Sequence, residues 1–168
     1  IGAPAGVGAL LVKGHADAVR LVPGGGQEQG RRGGTEATAL IAAFGAAAAV
    51  FPARYDAADV HGLIGRLEAA LIEFTSGLQV FGDERLGNVC NFAVPGVRNG
   101  TAMMALDLMG LSVSSGSACS SGKVGPSHVL AAMGVPADLA DCALRVSLGW
   151  NSTAADVDAF ISGFRELV

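Results

Sequence analysis

Apolar and polar positions along this 168-residue chain fall into blocks of different period, and the blocks set out its elements. Residues 8–12 (GALLV) form a short, continuously apolar run, which predicts a buried strand. Residues 19–22 predict a second, shorter strand. Residues 23–35 (PGGGQEQGRRGGT) carry no apolar side chain after Pro23 and are dense in glycine, so they predict a loop. Residues 36–50 then read as a helix that is apolar nearly all round, a pattern that predicts burial on most sides. Thr35 is its candidate N-cap, and Pro52 its expected end. Residues 56–74 predict an amphipathic helix, with Val60, Leu63, Ile64, Leu67 and Leu71 along one face.

Ser76 and Gly77 mark a turn, after which the pattern changes. This places a domain boundary there and divides the chain into 1–76 and 77–168. Residues 88–94 (NVCNFAV) predict a strand and 99–109 a helix with Met103, Met104, Leu106 and Leu108 mostly buried. A short strand over 111–114 leads into a loop of small polar residues, 114–125 (SSGSACSSGKVG). A short helix over 126–133 takes Pro126 in its first turn. Residues 143–147 predict a strand and 153–167 a C-terminal helix, opened by Ser152 or Thr153 with Asp156 in the first turn. Alternating strands and helices in this half predict a small α+β layer.

Composition narrows the class. At 51% hydrophobic and 15% charged residues the chain is not of disordered type, and a net charge of −4 argues against a nucleic-acid surface. A mean hydropathy of +0.47 predicts that part of the surface is covered by something else. Cys90, Cys119 and Cys142 form no CxxC pair and no cluster with histidine, so neither a disulfide framework nor a metal site is expected. That suits a reducing, cytoplasmic compartment. The uncharged run 37–51 is too short and alanine-rich to predict a membrane span, and no basic leader precedes an apolar segment.

Three places invite chemistry. Cys119 stands in a loop without an apolar anchor, with Lys123 close in sequence; an accessible thiol there ionises readily and is a nucleophile, or else is an inert surface cysteine. Cys90 and Cys142 lie in apolar runs and read as core residues. Arg145 interrupts the apolar strand ALRVSLG, so its guanidinium needs a fixed partner. That partner is either a bound carboxylate, held bidentately, or an internal acid such as Asp141 or Asp156. The 23–35 loop before a helix is either an anion-binding entry using Arg32, Thr35 and backbone N–H groups or a plain connector. It lacks the Gly-Lys-Ser/Thr of a nucleotide loop. His128 is placed either near Cys119 or on a helix surface.

Three segments together resemble the pyridoxal-phosphate-dependent cysteine desulfurases of the NifS/IscS kind, nearly end to end. IGAPAGVGALLV is similar to the strand that follows the family's cofactor-binding lysine. GGGQEQGRRGGTE resembles its GGGQERG-R-S/A-GTE loop. SSGSACSSGKVGPSHVLAAMG with LRVSLGWNST resembles its active-site cysteine loop, the following helix and the strand of the substrate-binding arginine. The long serine-rich loop resembles the first group of the family.

The resemblance implies an α/β fold, fold type I of the pyridoxal-phosphate-dependent transferases. Residues 1–76 would end the large domain and 77–168 would form the small α+β domain. It implies conversion of L-cysteine to L-alanine. Cys119 would attack the sulfur of a cysteine–cofactor adduct and keep it as a persulfide for iron–sulfur clusters or thio-cofactors. It implies that Arg145 holds the substrate carboxylate and that Thr35, supported by Arg32, donates to the cofactor phosphate across a homodimer interface. An iron–sulfur scaffold or other sulfur acceptor is the implied partner. The covalent lysine falls before Ile1, and neither Lys13 nor Lys123 is placed to replace it. Gln29 stands where the family has Arg, and Gly33 where it has Ser or Ala. This chain alone is therefore expected to be inactive, as a portion of an intact enzyme. A persulfide-carrying or docking module, an inactive fragment and a selenocysteine lyase are the alternatives.

Overall fold

Val60, Ile64, Leu67 and Leu71 recur at helical spacing, and all four are buried on one face of helix α3, Val60–Phe74. Asp59, in the left-handed region at φ 44°, opens the helix by accepting the Gly62 N–H at 3.3 Å. The apolar face expected from the sequence is therefore correct, but the helix begins at its cap and not at Asp56. The computed structural model describes residues 1–16, 20–57, 59–115 and 127–168. Ile1–Arg54 and Tyr55–Val168 form two compact units. The expected boundary at Ser76–Gly77 differs from this division, because α3 packs on the strands and C-terminal helix of the second unit.

In the second unit β1 (Gln79–Val80), β2 (Val89–Ala93), β3 (Ser114–Ser115) and β4 (Ala143–Ser147) form an antiparallel sheet in the order β1-β2-β4-β3. Alternation decides what each face carries. Cys90, Phe92, Val94, Leu144 and Val146 join Ile64, Leu67, Leu71, Leu106, Val157, Phe160 and Phe164 in one core. This core lies between the sheet and three helices: α3, α4 (Asn99–Leu108) and α7 (Ala154–Arg165). Phe164 anchors it, edge-on to Phe92 at 5.4 Å and stacked on Phe160 at 5.7 Å. A smaller core, with Ala93 and Ala143, is closed by α5 (His128–Ala132) and α6 (Ala137–Ala140).

Several expectations change here. Helix α4 buries Ala102 and Leu106, half-buries Met103, and exposes Met104 and Leu108, the latter 90%. One face of the helix meets the sheet, so an apolar sequence does not bury every turn. Pro126 lies outside the described residues, and α5 takes Ser127 as its N-cap, accepting from the Leu130 N–H. Thr153 caps α7 in a reciprocal box with Asp156.

The first unit departs further. Residues 8–12 form no strand and are exposed, Leu11 fully at 99%. A strand needs a neighbour for its backbone groups, and among the described residues of this unit none pairs with it. Val19 lies outside the described residues, and Val22 makes an isolated parallel bridge to Arg32. The 23–35 loop holds a short helical turn, α1 (Gln27–Gly30), in which Glu28 and Gln29 are left-handed. Helix α2 spans Thr38–Ala57 and runs through Pro52, although that ring forgoes a backbone bond. Because α2 starts at Thr38, Thr35 is not its cap. Its Thr38–Tyr55 stretch is long and apolar enough to cross a membrane by length and composition, unlike the shorter expected run, though a core helix of a soluble protein passes the same test. The burial expected for this helix is not seen: its described residues stand exposed or half-exposed.

Candidate functional site

Arg145 lies at the middle of β4 between Leu144 and Val146, both buried in the main core. Strand alternation therefore turns Arg145 to the opposite face. The register sets Asn91 of β2 and Ser114 of β3 directly beside it, one on each side. Asn91 alternates with core-facing Cys90 and Phe92, and Ser114 with Val113, which packs on that core, so all three share the outer face. Each is half-buried. The internal acids considered for Arg145 are engaged elsewhere: Asp141 lies 3.6 Å from Arg98, and Asp156 closes the Thr153 box. The β2, β3 and β4 segments carry no acidic side chain. Among the described residues no hydrogen bond or ion pair reaches the Arg145 guanidinium. A half-buried cation with no counter-charge among the described residues is suited to a bound anion.

The two described cysteines behave as core residues. Cys90 is fully buried, and burial, followed by the neighbouring Glu68 carboxylate, pushes its thiol up to about 12. It remains a thiol, not a thiolate, near neutral pH. Cys142 is 7% exposed and donates to the Asp138 carbonyl at 3.4 Å. Cys119 and Lys123 lie outside the described residues. The described residues stop at Ser115, one residue past the Arg145 row, and resume at Ser127. Cys119 follows Ser115 by four positions in sequence. His128 is exposed in the first turn of α5.

In the first unit the glycine loop folds tightly on itself. A Cβ on Gly33 would sit 2.7 Å from the Gly24 Cα, which accounts for glycine at this position. Gln29 accepts from the Arg31 guanidinium at 2.9 Å. Arg32 donates to the Gly34 and Thr35 carbonyls at 3.1 and 3.2 Å and holds the turn closed. A cavity of about 1050 Å³ opens here, its polar lining made by Lys13, His15, Glu28, Arg31, Arg32 and Glu36. That size suits a cofactor-sized ligand. Thr35 stands outside the lining, exposed, with its hydroxyl in no hydrogen bond among the described residues. The Arg32 guanidinium on the cavity wall is a donor suited to an anionic group such as a phosphate.

The structure thus brings Asn91, Arg145 and Ser114 into one row and sets Arg32 on a cavity wall. Asn91 and Ser114 are the members the sequence reading missed. The signal for Asn91 was present, as a polar residue inside the apolar run NVCNFAV. Ser114 carried no signal, since it opens a run of small polar residues, SSGS, in which no one serine stands out.

The family described as aminotransferase class-V matches residues 1–160. Among curated proteins, the cysteine desulfurase of Gluconacetobacter diazotrophicus is 41% identical over 160 residues, covering 93% of this chain and 40% of that protein. The cysteine desulfurase NifS of Azotobacter vinelandii is 37% identical over 163 residues, covering 95% of this chain and 40% of its own length. Among solved structures, a NifS-like protein from Rickettsia africae superimposes with a TM-score of 0.73 at 30% identity, over 89% of this chain and 39% of that one. The chain spans about two-fifths of the length of the curated relatives it matches.

Proposed function

This chain belongs to the aminotransferase class-V family and shares the fold type I α/β architecture of its NifS-like relatives; on that premise we propose that it is the C-terminal portion of a cytoplasmic cysteine desulfurase. The first unit, Ile1–Arg54, ends the large cofactor domain, and the second, Tyr55–Val168, is the small domain with the cysteine loop. The intact protein takes L-cysteine, releases L-alanine and passes the sulfur to an iron–sulfur scaffold or another acceptor. It works as a homodimer. The observation that carries this reading is Arg145: a half-buried guanidinium in the middle of β4, paired in register with Ser114, whose candidate internal acids are engaged elsewhere.

Pyridoxal 5′-phosphate, when bound, supplies the electron sink that makes the substrate's carbon–sulfur bond breakable. Arg145 fixes the substrate carboxylate and so sets the direction in which its sulfur points. The Cys119 thiolate attacks that sulfur; a sulfur–sulfur bond forms as the carbon–sulfur bond breaks. The substrate carbon takes up a proton and leaves as L-alanine, and Cys119 retains the sulfur as a persulfide. Cys90 does not compete, since its thiol is held protonated by burial. Arg32 and Thr35 hold the cofactor phosphate. A hydroxyl that faces away from its own chain's cavity suits a donor reaching into a partner's site. The lysine that binds the cofactor is not assigned to Lys13 or Lys123.

The test is direct. The intact protein, loaded with the cofactor, should convert L-cysteine to equal amounts of alanine and reducible sulfur, and the Cys119→Ser protein should not. Unchanged sulfur release from Cys119→Ser refutes the assignment.

A further inference from the structure

We propose that Asn91 and Ser114 complete a three-residue carboxylate seat with Arg145, and that Asn91 is its specificity-determining member. The proposal rests on the desulfurase reading for the identity of the substrate, an α-amino acid, but stands on the sheet's own geometry. The three side chains come from adjacent strands at one register position and share the face turned from the main core. Side chains directly opposite across an antiparallel pair have Cβ atoms about 4.5–5.5 Å apart, so one small anion spans the row. On one side of it Ala93 and Ala143 lie under α5 and α6.

The chemistry matches the count of groups. A carboxylate offers about four lone-pair directions, of which an arginine fork takes two. The Asn91 amide N–H and the Ser114 O–H are neutral donors suited to the other two, and neither side chain makes a hydrogen bond among the described residues. Neutral donors add bonds to the anion without adding charge, so they sharpen preference for a planar carboxylate over a simple anion. With no acid on the strands of this face, nothing on β2, β3 or β4 competes for Arg145.

The experiment uses the intact, cofactor-loaded protein and compares the parent with Asn91→Ala, Asn91→Asp and Ser114→Ala. KM and kcat are measured for L-cysteine, and equilibrium binding for L-alanine and for ethylamine, which lacks the carboxylate. Asn91→Ala should raise KM for L-cysteine and the Kd for L-alanine together, by about tenfold. Its kcat should stay within about twofold and its ethylamine binding unchanged. Asn91→Asp keeps the shape but sets an anion against the substrate's, and should weaken both by about a hundredfold. Ser114→Ala should show a smaller shift of the same kind. L-alanine binding unchanged in Asn91→Asp overturns the seat, as does an equal loss of ethylamine binding, which would mark a merely structural role. A parent protein that binds L-alanine yet releases no sulfur refutes the desulfurase reading instead, and the binding comparison still decides the seat.

Discussion

Every fully buried hydrophobic side chain among the described residues lies at Val60 or beyond, in the second unit. The first unit has a comparably apolar sequence but leaves Leu10, Leu11, Val22, Ile41 and Val50 at the surface. Both units hold well-formed helix, yet among the described residues only the second holds a sheet. The difference lies in where hydrogen bonds close. A helix satisfies its backbone from its own neighbours in sequence, so α2 forms without being packed. A strand satisfies its backbone only from another strand, so GALLV, which finds no partner among the described residues, forms none, while unpromising pairs such as Gln79–Val80 and Ser114–Ser115 become strands beside β2 and β4.

The largest expected effect tests that contrast in stability. Phe92→Ala removes a fully buried ring and should cost about 3–5 kcal/mol in denaturant unfolding of this chain. Leu11→Ala, at a fully exposed site, should change stability by no more than about 0.5 kcal/mol. Similar losses from both would erase the distinction between the units. Next comes the anion row: Arg145→Ala should lower kcat/KM for L-cysteine about a hundredfold with the unfolding midpoint nearly unchanged. Arg145→Lys should recover little, because a point charge does not replace the fork. Loss of cofactor binding or folding in step with activity would show that Arg145 is a structural cation.

Much of the second unit was legible in the sequence. Strand β4 and the apolar face of α3 follow from periods of two and of 3.6 residues, and the Thr153–Asp156 box from cap chemistry. Arg145 was legible as an anomaly, a charge inside an apolar strand. What fills its surroundings was not, because register is a property of pairing: nothing in the string VSS says that Ser114 stands beside Arg145. The burial expected of α2 is not seen within this chain for the complementary reason. Hydropathy records what a segment would bury given a partner, and Met104 and Leu108 on α4 repeat the point at the scale of one helix face.

Smaller effects sharpen the comparison at single groups. Cys90 should resist iodoacetamide in the folded protein at pH 8 and react once unfolded, as judged by mass spectrometry. Its folded thiol is raised from 9.0 to about 12. Above pH 9 the unfolded chain therefore loses a proton that the folded chain keeps, and stability should fall as pH rises through that window. Rapid labelling of native Cys90 would contradict its burial. At α7 the sign is reversed: the Thr153 backbone N–H, then its hydroxyl, lowers the Asp156 carboxyl below its ordinary value of 3.8. Stability from this group is present above that value and lost as pH falls through the lowered one. Thr153→Ala should reduce that acid sensitivity and lower the thermal midpoint by a few degrees. An unchanged acid limb would show that the box contributes nothing.

The central claim is that sulfur passes to Cys119 and to no other cysteine of this chain. The measurement is peptide mass spectrometry of the intact, cofactor-loaded protein after brief exposure to L-cysteine, with thiols trapped and the three cysteine peptides resolved. The account predicts a gain of one sulfur atom on the Cys119 peptide, removed by a reductant, with Cys90 and Cys142 unmodified. An unmodified Cys119 peptide under conditions where alanine is produced, or added sulfur on Cys90 or Cys142, would contradict it.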